Sequence, residues 1–298
     1  MHALLTRFTR FAHPPRSPAS LTHLTSVFPH KGNIIQVLEL CVTDLERVIQ
    51  DKKVMISPSD VKSFTKMMLE GLAHCHKNWI LHRDMKPNNL FIGVDHQLKI
   101  ADFGLARTYG SPGRVMTSQV LTLWYRPPEL LFGATEYSGA VDMWAVGCII
   151  AEMILRRAFL PGQSDLDQGS KIVEVLGTPN EEQWPGMTSL PTYVPYTEVP
   201  KCPFDQIFTA SDALTIDLLE RIIVWDPAKR LTAEEALQHP YFAADPPPTA
   251  PADLPGVVVE GGGAGGEEGL ESKGGEGGGL GQEVLDSEMA SCRQALSF

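Results

Sequence analysis

Four polar side chains in one stretch of the sequence could together hold a metal ion and a phosphate. Asp84, Lys86 and Asn89 lie in the run H-R-D-M-K-P-N-N, and Asp102 lies in A-D-F-G a little further along. Between them, residues 91–100 combine two strand-forming segments with the turn signal G-V-D-H, which predicts a β-hairpin. A hairpin would bring its two polar ends together, and oxygen ligands beside a lysine suit a Mg²⁺–phosphate centre.

The composition excludes several other classes of function. The net charge of -11 argues against a general nucleic-acid binder, whose surface would be basic. None of the five cysteines forms a C-x-x-C pair, so no zinc site is predicted. The most apolar run, Val141 to Leu155, carries two acids and is short for a membrane span, so it predicts a buried helix.

The elements that must position the polar groups are predicted to be mostly helical. Leu21–Phe28 and Ile34–Leu40 are apolar enough for two short strands joined by a P-H-K-G-N turn. Ser57, followed by a proline and an acid, is typical of a helix start, and apolar residues then recur at helical spacing up to Cys75. Further helices are predicted over residues 44–50, 128–132, 140–155, 165–176, 211–224 and 232–238.

Both ends of the chain are predicted to be disordered. Residues 1–19 contain prolines and no acid, which leaves an organelle transit peptide as an alternative to a plain disordered leader. Residues 244–298 are rich in proline, glycine and glutamate and contain little to bury.

The motifs H-R-D-M-K-P-N-N, A-D-F-G and P-P-E, in this order, resemble the catalytic lobe of protein kinases. The resemblance implies that Asp84 is the catalytic base and that Lys86 meets the transferring phosphate. It also implies that Asn89 and Asp102 bind Mg²⁺. With lysine at position 86, the motif resembles that of Ser/Thr kinases more than that of tyrosine kinases.

The fold implied by this resemblance is α+β and protein-kinase-like. Residues 41–243 would form the mostly helical C-terminal lobe. Residues 20–40 would form a remnant of the β N-terminal lobe together with the hinge.

The same resemblance implies an ATP site. Leu38 falls at the gatekeeper position, and Glu39 and Cys41 fall in the hinge that meets the adenine. Asp44 falls at the ribose contact. Phe91 stands at the adenine floor, where the family usually has leucine, and its larger ring would crowd the base.

Activation-loop phosphorylation is also implied. Thr117 falls at the family's acceptor position, and Ser111 offers a second, proline-directed acceptor. Arg83 and Arg107 would pair with the added phosphate through charge-assisted hydrogen bonds.

Three further positions are expected to be structural. Glu129 and Arg230 match the family's buried ion pair, and Asp142 matches the aspartate that holds the catalytic loop's backbone.

Longer runs narrow the resemblance. V-L-T-L-W-Y-R-P-P-E and G-T-P-N-E-E-Q-W-P are similar to cyclin-dependent kinases, and F-L-P-G-Q-S-D-L-D-Q is similar to the kinases that activate them. The resemblance implies transfer of the ATP γ-phosphate to Ser/Thr of cyclin-dependent kinases and of the RNA polymerase II C-terminal domain. A cyclin H-like cyclin and an assembly factor would be its partners, with no direct nucleic-acid or membrane contact. The implied location is the nucleus, and secondarily the cytoplasm.

One part of the family pattern is missing from the sequence. Before Glu39 there is no G-x-G-x-x-G or V-A-I-K segment, no glutamate, and no lysine other than Lys31. We therefore expect a truncated enzyme, weak or inactive as given, that also lacks the family's cyclin-binding helix. The alternatives are a non-catalytic, kinase-derived binding module and, less favoured, an adaptor whose disordered tail matters more than its lobe.

Overall fold

The structure is a computed structural model that describes residues 19–31, 33–109, 116 and 122–256. Residues 1–18 of the predicted leader and residues 257–298 of the predicted tail lie outside this part of the chain.

The first element is an antiparallel ribbon. β1 (Leu24–His30) pairs with β2 (Asn33–Leu38), so the two predicted strands are present with shifted bounds. The predicted first strand began at Leu21, but Leu21 instead forms a bridge to Ile100, and Thr22 donates its N–H to the Ile100 carbonyl at 3.1 Å. This pairing attaches the start of the ribbon to the rest of the fold.

Two further sheets flank the motif-bearing loops. β3 (Cys41–Asp44), β5 (Leu90–Gly93) and β6 (Leu98–Ile100) form a three-stranded antiparallel sheet in the order β3-β5-β6. The predicted β-hairpin is therefore confirmed as β5–β6. β4 (Ile80–Leu81) pairs with β7 (Arg107–Thr108), a pairing that the sequence did not predict.

The helices account for most of the remaining fold. They are α1 (Leu45–Gln50), α2 (Pro58–Lys77), α3 (Pro128–Leu131), α4 (Ala140–Leu155), α5 (Asp165–Leu176), α6 (Phe204–Ile207), α7 (Ala213–Ile222) and α8 (Ala233–Leu237). The bounds of α4 and α5 match the predicted ones. The helix predicted over residues 211–224 is shorter, and α6 was not predicted. The α+β fold class is confirmed.

Side-chain caps explain where the helices begin. The Ser57 side chain accepts from the Asp60 N–H, and the Asp60 carboxylate accepts from the Ser57 N–H, which completes a capping box on α2. Thr232 and Glu235 form the same box on α8, as the sequence predicts. Each box satisfies backbone donors that a bare helix end would leave unpaired.

The core lies around α4, which is buried on nearly all sides between α2 and α7. This explains its almost continuous apolar sequence, with Trp144 fully buried at its centre. Among the described residues, no helix is both long and apolar enough to cross a membrane.

The prediction that disorder begins at residue 244 is wrong for residues 244–256. The buried Lys62 ammonium on α2 donates to the carbonyls of Ala244 and Pro246 at 2.8 and 2.7 Å. Thr249 accepts from Ser63, and Leu254 is buried in the main core. Composition missed this segment because its order comes from partners on a distant helix.

Candidate active site

Asp142 holds the loop that carries the predicted catalytic residues. Its carboxylate, fully buried on α4, accepts the backbone N–H of His82 at 3.0 Å and that of Arg83 at 2.8 Å. Arg83 has a φ of 64°, a strained value for a side-chain-bearing residue, and these bonds hold it there. Burial alone would raise the pKa of Asp142, but the hydrogen bonds from the His76 side chain and the Arg83 backbone N–H help to hold it below its ordinary value.

The loop brings three of the predicted site residues together. One oxygen of Asp84 lies 3.0 Å from the Lys86 ammonium and 3.0 Å from the Asn89 side-chain nitrogen. The other oxygen accepts from the Thr122 hydroxyl at 3.3 Å. Asn89 also donates to the Asp84 carbonyl at 2.8 Å. The Asn89 amide nitrogen is thus occupied within the loop, and its amide oxygen is the atom left to bind a ligand.

Asp102 is joined to this loop through the backbone. The N–H of Ala101 donates to the Asn89 carbonyl at 2.9 Å, so the predicted metal-binding residues lie on directly bonded segments. Asp102 has a left-handed φ of 56° and caps the short turn Phe103–Leu105 through Gly104. Asp102 itself is exposed. A cation can therefore approach Asp102 from solvent.

His82 connects the two segments and was not among the predicted site residues. Its Nε2 lies 2.8 Å from the Ala101 carbonyl, and its Nδ1 accepts the Asp84 N–H at 3.3 Å. One donor and one acceptor describe a neutral imidazole. Burial lowers the pKa of His82, which favours this neutral form. The histidine of the H-R-D motif was the available sequence signal.

Three of the predicted nucleotide residues, Cys41, Asp44 and Phe91, lie on two paired strands of the three-stranded sheet. In the β3–β5 pairing Asp44 lies opposite Phe91, and Cys41 lies opposite Gly93, so the strand that begins at the predicted hinge and the predicted adenine floor are neighbours. Leu38 ends β2 and is exposed. Burial, and then the charge of Glu39, raise the pKa of the Cys41 thiol, which keeps it protonated at neutral pH.

Asp44, the predicted ribose contact, caps the helix that follows it. Its carboxylate caps α1 by accepting the Arg47 N–H at 3.0 Å, and it pairs with the Arg47 guanidinium at 3.2 Å. A ribose hydroxyl at this carboxylate would therefore meet an acceptor that is already oriented.

Of the predicted phosphate-pairing residues, Arg83 has its guanidinium held by two hydrogen bonds. Its Nε donates to the Leu105 carbonyl at 2.8 Å and its Nη1 donates to the Tyr137 hydroxyl at 3.0 Å. Arg107 lies on β7 opposite Leu81. The predicted phosphorylation sites, Ser111 and Thr117, lie outside the described residues.

Glu129 and Arg230 form a buried, bidentate ion pair, with nitrogen–oxygen distances of 2.9 and 3.2 Å. Arg230 also donates to the carbonyls of Ala140 and Val224, and its guanidinium lies 5.1 Å from the centroid of the Trp144 ring. The pair thereby fastens α3 to the start of α4 and to the segment after α7.

Thr122 and Tyr137 are the other contacts that the sequence did not predict. Thr122 lies in the quoted run V-L-T-L-W-Y-R-P-P-E, but nothing in that run predicts its bond to Asp84, and Tyr137 belongs to no quoted motif. Among the described residues there is no cluster of three or more His, Cys, Asp or Glu side chains that could hold a metal. The amide of Asn89 and the carboxylate of Asp102 are both hard oxygen ligands. They fit Mg²⁺, which commonly takes its other ligands from phosphates and water.

The chain is similar to known protein kinases in sequence and in fold. Residues 16–242 match the family model described as the protein kinase domain. The chain is 50% identical to cyclin-dependent kinase 7 of Dictyostelium discoideum over 79% of this chain and 66% of that protein. It is 54% identical to cyclin-dependent kinase D-1 of Oryza sativa subsp. indica over 80% of this chain and 56% of that protein. It therefore spans two thirds or less of these relatives.

Another relative is covered more fully. The chain is 43% identical to the serine/threonine-protein kinase KIN28 of Saccharomyces cerevisiae, over 79% of this chain and 78% of that protein. It also resembles a chain in the structure of the CAK complex from Chaetomium thermophilum bound to ATP-γ-S, with 43% identity and a TM-score of 0.79, over 84% of this chain and 79% of that one. The chain belongs to the protein kinase family, in the cyclin-dependent kinase 7 branch.

Proposed function

We propose that the chain carries the catalytic half of a cyclin-dependent Ser/Thr protein kinase, which transfers the γ-phosphate of ATP to protein hydroxyls. The observation that carries this proposal is the contact set around Asp84. Its carboxylate is bonded to Lys86 and Asn89, and Asn89 is bonded through its backbone to the segment bearing Asp102.

Each residue has a role that its contacts support. The Asp84 carboxylate accepts the proton of the substrate hydroxyl, and the Lys86 ammonium offsets charge on the transferring phosphate. The Asn89 amide oxygen and the Asp102 carboxylate would hold Mg²⁺, which when bound would supply positive charge that offsets the charge of the phosphates. The hinge at Glu39–Cys41 receives the adenine. Asp44 receives the ribose, and Phe91 forms the floor under the base.

For the 298-residue polypeptide assayed alone, we propose slow phosphotransfer. The glycine-rich loop and the Lys–Glu pair that position phosphates in this family are not among its residues, and loss of positioning costs powers of ten in rate. The non-catalytic binding module is the second candidate. It is favoured by the β1–β2 ribbon, where Val27, Phe28, Ile34, Ile35, Val37 and Leu38 are all more than a third exposed.

Single-turnover phosphotransfer distinguishes these candidates. The chain, in excess over radiolabelled Mg-ATP, is incubated with a Ser-Pro peptide of the polymerase-tail type. We expect slow labelling by the wild type and by the control Asp205→Asn, whose carboxylate is exposed and remote in sequence from the site. Labelling should fall to background in Asp84→Asn. Equal labelling by all three would refute the assigned base, and no labelling by any of them would favour the binding module.

The partners and the location are proposals of the same kind. We propose association with a cyclin H-like cyclin and an assembly factor, and action on cyclin-dependent kinases and on the polymerase II C-terminal domain. Co-purification of the tagged chain with these partners tests the association. If it depends on the ribbon, Ile34→Lys should abolish it. We also propose a nuclear location with a cytoplasmic fraction, which microscopy of the tagged chain tests.

A further inference from the structure

Lys99 is a buried lysine that the catalytic roles above do not use. It lies on β6 with its side chain only 6% exposed, and its ammonium bridges two carboxylates. One is Glu39 in the hinge, at 2.8 Å, and the other is Asp95 in the β5–β6 turn, at 2.9 Å. Burial alone would lower the pKa of Lys99, but the hydrogen bonds to Glu39 and Asp95 outweigh it and raise the pKa.

Glu39 is fixed from its other side as well. The N–H of His23 donates to the Glu39 carboxylate at 2.6 Å, and the N–H of Glu39 donates to the His23 carbonyl at 2.9 Å. Glu39 is therefore held by two hydrogen bonds with His23 and by the ion pair with Lys99. A hinge held in this way can shift only if the Lys99 contact breaks or moves with it.

The backbone next to Lys99 is fixed too. Ile100, the following residue, donates its N–H to the Ser20 carbonyl at 2.9 Å and accepts the Thr22 N–H at 3.1 Å. Asp102 lies two residues beyond Ile100. Lys99 thus pairs with the hinge residue Glu39 on a strand that leads directly to Asp102, the residue proposed to bind the metal.

We propose that Lys99 is a positioning residue that keeps the hinge and Asp102 at the separation a bound nucleotide must span. This inference rests on the proposed nucleotide-binding function. Adenosine occupies the hinge end alone, whereas Mg-ADP must reach both ends at once. Loosening the link should therefore weaken the binding of Mg-ADP more than the binding of adenosine. Only Mg-ADP contacts both ends, so only its binding free energy would include the cost of aligning them.

Calorimetric titration with adenosine and with Mg-ADP tests this proposal. In the wild type the ratio of the adenosine Kd to the Mg-ADP Kd measures the advantage of engaging both ends. We expect Lys99→Met to lower this ratio by about tenfold while changing the adenosine Kd by less than about threefold. Lys99→Arg, which keeps the charge, should recover part of the ratio, and the exposed control Lys53→Met should leave it unchanged.

A second variant covers the case in which Lys99→Met fails to fold. Glu39→Gln keeps an oxygen for the His23 N–H but loses the charge pair with Lys99, so it should lower the ratio in the same sense. A ratio equal to the wild-type value in both variants would overturn the inference and leave the proposed function standing. Parallel weakening of both ligands would also overturn it, because a general structural role predicts that result.

Hydrogen exchange on the nucleotide-free chain tests whether Lys99 fixes the hinge, independently of whether the chain binds a nucleotide. Lys99→Met should speed exchange at the amides of His23 and Glu39 by tenfold or more, whereas Lys53→Met should not. A wild type that binds neither ligand would overturn the proposed function and, with it, the positioning of a nucleotide. Exchange at these amides would still decide whether Lys99 fixes the hinge, and unchanged exchange would refute the link itself.

Discussion

Removing the Arg230 side chain should destabilise the fold more than removing any exposed charged side chain. Arg230→Met would leave the Glu129 carboxylate, with a side chain only 4% exposed, buried without its partner. It would also strip the donors from the carbonyls of Ala140 and Val224. Breaking a buried pair by removing one member costs about 3–5 kcal/mol. For a folded body of this size that is a fall in Tm of roughly 6–20 °C.

The matched control is the same substitution at a surface pair. Arg221 bonds to Asp217 one helical turn away, with side chains 57% and 39% exposed. Such pairs contribute about 0.3–0.5 kcal/mol, so Arg221→Met should lower the Tm by roughly 2 °C or less. Both variants are measured by thermal unfolding followed by circular dichroism, with urea unfolding to obtain the free energy of unfolding.

A double variant tests the cause of the loss. If most of it comes from the stranded carboxylate, then Glu129→Leu combined with Arg230→Met should lose less than the sum of the two single variants. Equal Tm values for Arg230→Met and Arg221→Met would refute the reasoning. Strict additivity of the double variant would refute the role of the stranded charge.

Two further predictions concern buried ionisable groups. Lys62→Met removes the ammonium that holds residues 244–256, and it should lower the free energy of unfolding, measured in urea, by about 2–4 kcal/mol. The control Lys66→Met, at an exposed position on the same helix, should lower it by less than about 0.5 kcal/mol. Similar losses in the two variants would contradict the packing described. Glu152 bonds to the Tyr125 hydroxyl at 2.7 Å, and burial raises its pKa to about 7 from 4.5. The folded state therefore holds this proton more tightly than the unfolded state, and this group's contribution falls as the pH rises from about 4.5 to about 7. Glu152→Gln should gain stability relative to the wild type over that range, by roughly 2–3 kcal/mol at the upper end; a difference that does not vary with pH would refute the shift.

The elements that could be predicted are those with a strong local signal. The helix bounds of α4 and α5 follow from apolar periodicity, and the capping box at Ser57 fixes the start of α2. The β5–β6 hairpin follows from its turn residues and places Asn89 beside the segment that carries Asp102. Local chemistry was sufficient in these cases because partners are close in sequence.

The remaining features depend on partners that are distant along the chain. β4 and β7 are two residues each, too short for any periodic pattern, and they exist because they pair with each other. Lys62 meets carbonyls 182 and 184 residues away, and nothing near it in sequence indicates a bound segment. Lys99 resembles an ordinary charged strand residue until the hinge carboxylate is seen against it.

We propose that Asn89 and Asp102 form the metal-binding wall of a nucleotide site, and the Mg²⁺ dependence of ATP binding tests this most directly. The Kd of the purified chain for ATP is measured with Mg²⁺ and with EDTA, for the wild type and for Asp102→Asn. We predict that Mg²⁺ tightens ATP binding by tenfold or more in the wild type and has little effect in Asp102→Asn. Equal affinities with and without Mg²⁺ in the wild type, or an undiminished Mg²⁺ effect in Asp102→Asn, would contradict the claim.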